Sequence, residues 1–340
     1  ALKSNFNSKV LRVIKSYGLG IDAVSGNEIK KAIEVGFNPK DIVFAGVGKT
    51  DGEIKLSIDN NISYLNCESP QEIDVINNFS SKVDKVTKIS IRINPNIKTD
   101  THKNIQTGHK SNKFGIDLND LNEIIDHAKK LNNIEVIGFH FHLGSQISQN
   151  SPFLKLCDVA NDVNNLFKNK SIDIKYINVG GGLAIDYKNP VDNRISNFQN
   201  FINIFNKNVF LNDRQILHFE LGRSIVGQCG FLITKILFTK RSYNKNFIIV
   251  DAGMNDLVRP ALYDSYHKII NISSIESEVI NYDVVGPICE SSDTFVNDYS
   301  LPLSKRGDFI VICSAGAYGE SMSSNYNLRN KLKSYYSDTI

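Results

Sequence analysis

Residues 21 to 46 read IDAVSGNEIKKAIEVGFNPKDIVFAG. Two short apolar runs, IDAVS at 21 to 25 and IVFAG at 42 to 46, flank an amphipathic stretch. Ser25 and Glu28 form an S-x-x-E capping box that opens a helix, and Gly36 stands where that helix stops. A strand, a helix and a second strand in so few residues describe a parallel pair with a helical crossover.

The same grammar runs outward in both directions. Apolar runs predict strands at 1 to 4 (ALKS), 63 to 67 (SYLNC), 89 to 94 (ISIRIN), 136 to 144 (VIGFHFHLG), 174 to 181 (IKYINVGG) and 216 to 222 (ILHFELG). Thr50 to Glu53 and Ser69 to Glu72 repeat the capping box, the latter with Pro70 at the first helical position, and Gly18 marks another helix end. Eight strand–helix units predict an α/β fold, a (β/α)8 TIM-type barrel over residues 1–225, with its chemistry at the C-terminal ends of the strands. From about Ile225 the pattern changes. FLITKILFT (231 to 239), NFIIVDAG (246 to 253), INYDVVG (280 to 286) and DFIVICSAG (308 to 316) are strand-like, and predict a mainly-β domain over 226–340.

Composition narrows the class of function. With 340 residues, 41% apolar and 22% charged, the chain can bury a full core. The formal charge of +3 is small and the basic residues are dispersed, which disfavours nucleic acid and membrane surfaces as partners. No apolar run reaches the roughly 20 residues of a membrane span, and no leader pattern opens the chain. Five scattered cysteines without a CxxC pair suit a reducing compartment, so the expectation is a cytoplasmic protein.

Several residues at strand ends could carry chemistry. Strand seven ends in Gly180-Gly181-Gly182 and strand eight in Glu220-Leu221-Gly222-Arg223, the two loops where barrels build phosphate cups; a tight turn would use the same glycines. Lys3, at the end of the first run, reads either as an exposed terminal lysine or as an amine desolvated enough to form a Schiff base. His140 and His142 alternate with phenylalanines, so both face one side, as core histidines or as a ring stacked on a flat cofactor. No cysteine or carboxylate lies near enough in sequence to make them a metal pair, and no metal is expected. Glu220 closes an apolar strand and needs a cation, which a protonated pyridine would be. In GPICESSD (286 to 293), Cys289 beside Glu290 offers a thiol that is protonated at neutral pH and so able to donate.

Together ALKSN, HFHLGSQI (140 to 147), GGG, ELGR, DAGMNDLVRPALYDSYH (251 to 267), GPICESSD and GAYGESMSSNYN (316 to 327) resemble, in order and over nearly the whole chain, the diaminopimelate decarboxylase family. The resemblance implies an alanine-racemase-like barrel holding pyridoxal 5'-phosphate and a C-terminal β domain. It implies Lys3 as the residue bonded to the cofactor and His142 as the ring stacked on it. Ser145, Gly181, Gly182 and Gly222, with Tyr318, would bind the phosphate, and Glu220 the pyridine nitrogen. Arg223, Arg259 and Tyr263 would hold the substrate's distal carboxylate, with Glu290 near its distal ammonium. Cys289 would return a proton to the carbon that loses carbon dioxide, in the partner subunit of a homodimer. The implied reaction converts meso-2,6-diaminopimelate to L-lysine. The family usually shows Pro where Leu221 stands, Gly-Asp where Ser292-Asp293 stand, and further residues at both ends. An ornithine- or arginine-type decarboxylase, a racemase and an inactive regulatory homologue share much of the pattern; the first is expected to carry Asp in place of Glu290.

Overall fold

The computed structural model describes residues 1–98 and 112–338, which divide into two compact units: 1–184 with 197–222, and 185–196 with 223–338. In the first unit, seven strands form one parallel sheet: β1 (Ile21–Ala23), β2 (Ile42–Phe44), β3 (Tyr64–Cys67), β4 (Thr87–Asn94), β6 (Ile134–His140), β7 (Tyr176–Asn178) and β8 (Ile216–His218), in that order across the sheet. A two-residue strand, β5 (Ile116–Asp117), pairs with β4 off this path. The sheet is curled, because Val43 on β2 and Tyr64 on β3 pack with Ile137 on β6 and Tyr176 on β7, strands that are not their neighbours. The Tyr64 and Tyr176 rings stack with centroids 5.4 Å apart.

Helices cover the outer face of the sheet. These are α1 (Ser8–Ser16), α2 (Gly26–Val35), α3 (Asp51–Asp59), α4 (Pro70–Lys82), α5 (Leu121–Ala128), α6 (Ser151–Asn169) and α7 (Phe198–Asn208). The capping signals do their work as read, with one refinement. Thr50 and Glu53 bond reciprocally, whereas Glu28 and Glu72 accept from the backbone one residue further back, at Val24 and Glu68, while Ser25 and Ser69 still accept from Glu28 and Glu72. Gly36 takes φ 96° to end α2, a conformation that a side chain disfavours. Helix α6 buries Phe153, Leu156, Cys157, Ala160, Val163 and Phe167, one apolar stripe at helical spacing, and each large side chain so buried contributes about 1.5–3 kcal/mol.

The first run is not a strand. Leu2–Ser4 form a 3-10 turn, because the Ser4 and Asn5 amides donate back to Ala1 and Leu2 and the Ser4 hydroxyl donates to Ala1. Local bonds thus take the groups a sheet partner would need. The turn nevertheless lies at the seam of the sheet: the Ala1 nitrogen donates to the Leu221 carbonyl beyond β8 at 2.9 Å, and Lys3 reaches Asp22 on β1. Of eight expected strands, seven form, and a turn stands where the eighth was read.

The second unit holds a six-stranded sheet in the order β11-β14-β9-β10-β12-β13, from β9 (Leu232–Ser242), β10 (Lys245–Val250), β11 (Ile269–Asn271), β12 (Val279–Val285), β13 (Thr294–Pro302) and β14 (Phe309–Ile312). The pairs are antiparallel apart from β10 with β12. Leu232, Thr234 and Ile236 turn inward on β9 while Ile233 and Lys235 turn out, and Ile236, Ile248, Val250, Val284, Ile310 and Ile312 form the core. Two short helices complete the unit, α8 (Arg223–Val226) and α9 (Arg259–Tyr263).

Candidate active site

In the first unit the polar side chains gather at the C-terminal ends of the strands. Glu220 lies two residues beyond β8 and is 8% exposed. Its Oε2 stands 3.0 Å from His140 Nε2 at the end of β6, and its Oε1 accepts from the Asn178 amide at the end of β7 at 2.8 Å. Burial alone would push the Glu220 carboxyl up. His140, which both faces and bonds it, reverses that with help from Lys3, and the balance falls well below the usual carboxylate range. Glu220 is therefore ionised.

Asp22, on β1, behaves in the opposite way. Burial, and then the neighbouring Glu220 charge, push its carboxyl up; Lys3 Nζ, 4.0 Å away, offsets only part of this. Neither Asp22 oxygen accepts a hydrogen bond among the described residues. Two carboxyls in one cavity with pKa values driven apart are an arrangement that proton chemistry uses.

His142 sits beyond β6, where Gly181 N–H donates to its Nδ1 at 3.3 Å. An acceptor at Nδ1 leaves the proton on Nε2, and burial first, then Lys3 and Arg92, hold the imidazole well below its usual pKa. His142 is a neutral ring. The glycine turn beside it is demanded by packing: a Cβ on Gly181 would lie 2.3 Å from the Glu220 carbonyl, and Gly182, at φ 108°, would meet the Gly144 carbonyl at 2.9 Å. Gly222 leaves room for Ser4 and Ala1, whose nearest atoms would stand 3.1 and 3.2 Å from a Cβ there. Ser145 lies in the segment between His142 and Ile147, whose amide donates to the Gly182 carbonyl.

The second unit assembles the cations. Arg223 and Arg259 are 4% and 5% exposed. Arg223 donates to the Tyr187 hydroxyl at 2.6 Å and lies 4.9 Å over the Tyr318 ring; Arg259 lies 5.5 Å over Tyr263 and 5.8 Å over Tyr318 and donates to Ser265 at 3.0 Å. Among the described residues no carboxylate stands within ion-pair distance of Arg259, and its Nε has no acceptor. Burial, with Arg223 beside it, lowers its pKa, yet a guanidinium keeps its proton. Tyr318 adopts φ 58°, a left-handed backbone rare for an aromatic residue.

Cys289 and Glu290 are exposed, on the loop between β12 and β13. The loop is built by Asp293, which accepts from the Ile288 and Met254 amides, both at 2.6 Å. It is clasped by the C-terminal segment: Cys289 N–H donates to Asn327 at 3.1 Å and the Tyr326 hydroxyl donates to Glu290 at 2.6 Å.

Three of these residues, Asn178, Asp22 and Tyr187, are missed in the sequence, and His140 is named there without its partner. His140 reads in the sequence as a core histidine or a ring on a flat cofactor, and in the structure it faces Glu220. Asn178 carried a signal, two positions before the glycine turn on an inward-facing strand end. Asp22 and Tyr187 gave none, since each acquires its role from partners far away in the chain.

An acidic group fit to face a pyridinium, a neutral imidazole, a lysine and a bare glycine turn suit a phosphorylated pyridine aldehyde, and a Glu220 carboxyl held low by His140 is what such a ring nitrogen requires. The fold and this donor set define a pyridoxal-phosphate enzyme on a barrel. The family described as "Pyridoxal-dependent decarboxylase, pyridoxal binding domain" matches residues 1–227. A diaminopimelate decarboxylase of Bacteroides thetaiotaomicron is 48% identical over 340 residues, covering 100% of this chain and 88% of that protein. The crystal structure of diaminopimelate decarboxylase from Helicobacter pylori complexed with L-lysine is 41% identical with a TM-score of 0.88, covering 97% of this chain and 82% of that one. A third, from M. jannaschii in co-complex with L-lysine, is 35% identical with a TM-score of 0.86, covering 97% and 77%. The chain belongs to the diaminopimelate decarboxylase family of the pyridoxal-dependent decarboxylases.

Proposed function

We propose that the chain removes carbon dioxide from the D-configured end of meso-2,6-diaminopimelate to give L-lysine. The observation that carries the choice of substrate is Arg259, a buried guanidinium with no carboxylate partner among the described residues. A buried cation without its anion is costly, and a substrate with a second, distal carboxylate supplies that anion. Ornithine and arginine have none.

Bound pyridoxal phosphate supplies the electron sink that makes loss of carbon dioxide possible. The chain's own residues do the rest. Lys3 would hold the cofactor covalently through its side-chain amine. Glu220, held ionised, would face the ring nitrogen and favour its protonated form. His142, neutral, packs against the ring without adding a charge that would oppose it. Ser145, Gly181, Gly182 and Gly222 line the phosphate end. Arg223, Arg259 and Tyr263 grip the distal carboxylate and so fix which end of the substrate reacts; each charge-assisted bond is worth about 1.5–3 kcal/mol. Cys289 delivers the proton that replaces the lost carboxylate, and Glu290 faces the distal ammonium. The exposure of Cys289 and Glu290 supports their use across the interface of a homodimer. Five free cysteines support a cytoplasmic setting. Among the described residues no helix is long and apolar enough to cross a membrane.

Incubation with pyridoxal phosphate and, separately, meso-diaminopimelate, ornithine and arginine tests the reading. Carbon dioxide and lysine are expected from the first alone. Release from ornithine or arginine, with none from diaminopimelate, would overturn it.

A further inference from the structure

Asn178 ends β7, is 1% exposed, and is held from two directions. The Gly180 amide donates to its Oδ1 at 2.9 Å. A backbone N–H can only donate, so the oxygen must face Gly180 and the side-chain nitrogen must face the other way. That nitrogen donates to Glu220 Oε1 at 2.8 Å and lies 3.5 Å from the Tyr64 hydroxyl. Tyr64, fully buried, stands 2.9 Å from His218 Nδ1. Burial lowers the His218 pKa, and burial followed by the Glu220 charge raises that of Tyr64. Tyr64 therefore keeps its proton and donates it to a neutral imidazole, and its oxygen remains an acceptor turned toward Asn178.

We propose that Asn178 is a positioning residue for the reaction: its neutral amide fixes the orientation and ionisation of Glu220 and ties that carboxylate to the glycine turn. The inference rests on the reading of Glu220 as the partner of the cofactor's ring nitrogen. Glu220 presents one oxygen to His140 and the other to Asn178, and each oxygen keeps a lone pair for a further donor. With both oxygens held, the carboxylate cannot rotate away from its cationic partner. The two bonds of Asn178 join the ring-nitrogen end of the site to the Gly180 turn through one rigid side chain.

The amide must be neutral to do this. An aspartate in its place would keep the acceptor for Gly180 but set a second carboxylate about 2.8 Å from Glu220 Oε1, and two carboxylates so close share one proton. The other groups facing Glu220 are His140 from β6, His142 beyond it, Lys3 and the Ala1 amino group at the first turn, Asp22 from β1, Tyr64 from β3 and His218 from β8. His140 already serves the other oxygen, and Asp22, when ionised, adds to the repulsion.

The test compares Asn178→Asp, Asn178→Ala and Glu220→Gln. In ligand-free protein at neutral pH, infrared spectroscopy of N178D should show a protonated carboxyl band additional to any that Asp22 gives in the parent, and the double variant N178D/E220Q should lose that additional band. The dissociation constant for pyridoxal phosphate, followed by fluorescence, should rise roughly tenfold or more in N178D, and kcat should fall by a similar factor with KM within about twofold. N178A, which removes the donor without adding charge, should lower kcat without the new band. Parent-like cofactor affinity and kcat in both Asn178 variants, with E220Q impaired, would overturn the inference and leave the Glu220 reading standing. Parent-like behaviour of E220Q would overturn the Glu220 reading itself.

Discussion

Glu220 and His140 face each other at 3.0 Å, carboxylate against imidazole, between the ends of two strands separated by 80 positions in the chain. The pair is buried on both sides, at 6% and 1% side-chain exposure. It holds Glu220 ionised in a place where burial alone would protonate it. The chemistry assigned to the first unit depends on that balance.

Replacing Glu220 by Gln keeps the shape and removes the charge. Loss of a preorganised charge of this kind costs about a hundredfold or more in kcat. The check is single-turnover decarboxylation at saturating pyridoxal phosphate. A similar kcat in E220Q would remove Glu220 from the electron-sink role.

Asp22 makes the opposite expectation for stability. Its folded pKa is raised, so as pH rises from about 4 toward the folded value the folded state keeps a proton that the unfolded state releases, and stability is lost across that range. Asp22→Asn removes this cost and should stabilise ligand-free protein by roughly 1–3 kcal/mol at pH 7. Thermal melts at pH 7 and pH 4 should show the gain shrinking at the lower pH.

His267 gives a window of its own. Burial, acting against the Cys313 carbonyl that its Nδ1–H donates to at 2.9 Å, pulls its pKa to about 4. The unfolded state then binds more protons than the folded state between about pH 6.5 and 4, so stability falls as pH falls through that range, by about 3 kcal/mol in all. Denaturant midpoints of His267→Gln should show a flatter slope there than the parent.

Arg259→Gln should raise KM for diaminopimelate roughly tenfold to a hundredfold, the loss of one charge-assisted pair. Binding of pyridoxal phosphate should stay within about twofold. Equal losses for both ligands would mean that Arg259 serves the fold and not the substrate.

Cys289→Ala should bind pyridoxal phosphate and diaminopimelate normally and release lysine slowly, by about 10²–10⁴-fold, the usual contribution of a positioned proton donor. Product analysis in heavy water checks the step: the parent sets deuterium on one face of the carbon, and the variant should lose that preference. Normal rate and stereochemistry would remove the thiol from the reaction.

The barrel was legible because its signals are local. Capping serines and threonines, Pro70 and Gly36 each act within one turn, and they mark four helix boundaries that the structure reproduces. The short first run was misread because its apolar residues fit a strand while its backbone groups find partners in Ala1 and Leu2. Strand β13 went unseen for a different reason. Its sequence, TFVNDYSLP, has strand formers in Thr294, Phe295, Val296 and Tyr299, but Asn297, Asp298 and Pro302 interrupt them, and it is held by pairing with β12, a tertiary cause no local pattern records. Glu220 was legible as a carboxylate needing a cation, but His140 and Asn178 as its partners were not, since the contacts span 80 and 42 positions.

The central claim is that Lys3, at the seam beside Asp22, is the covalent anchor of pyridoxal phosphate. Borohydride reduction of the protein incubated with pyridoxal phosphate, followed by proteolysis and mass spectrometry, tests it directly. The account expects one phosphopyridoxyl group on the peptide containing Lys3, and none on that peptide after Lys3→Ala. A group carried by another lysine, such as Lys49, or no stable label at all, would contradict it.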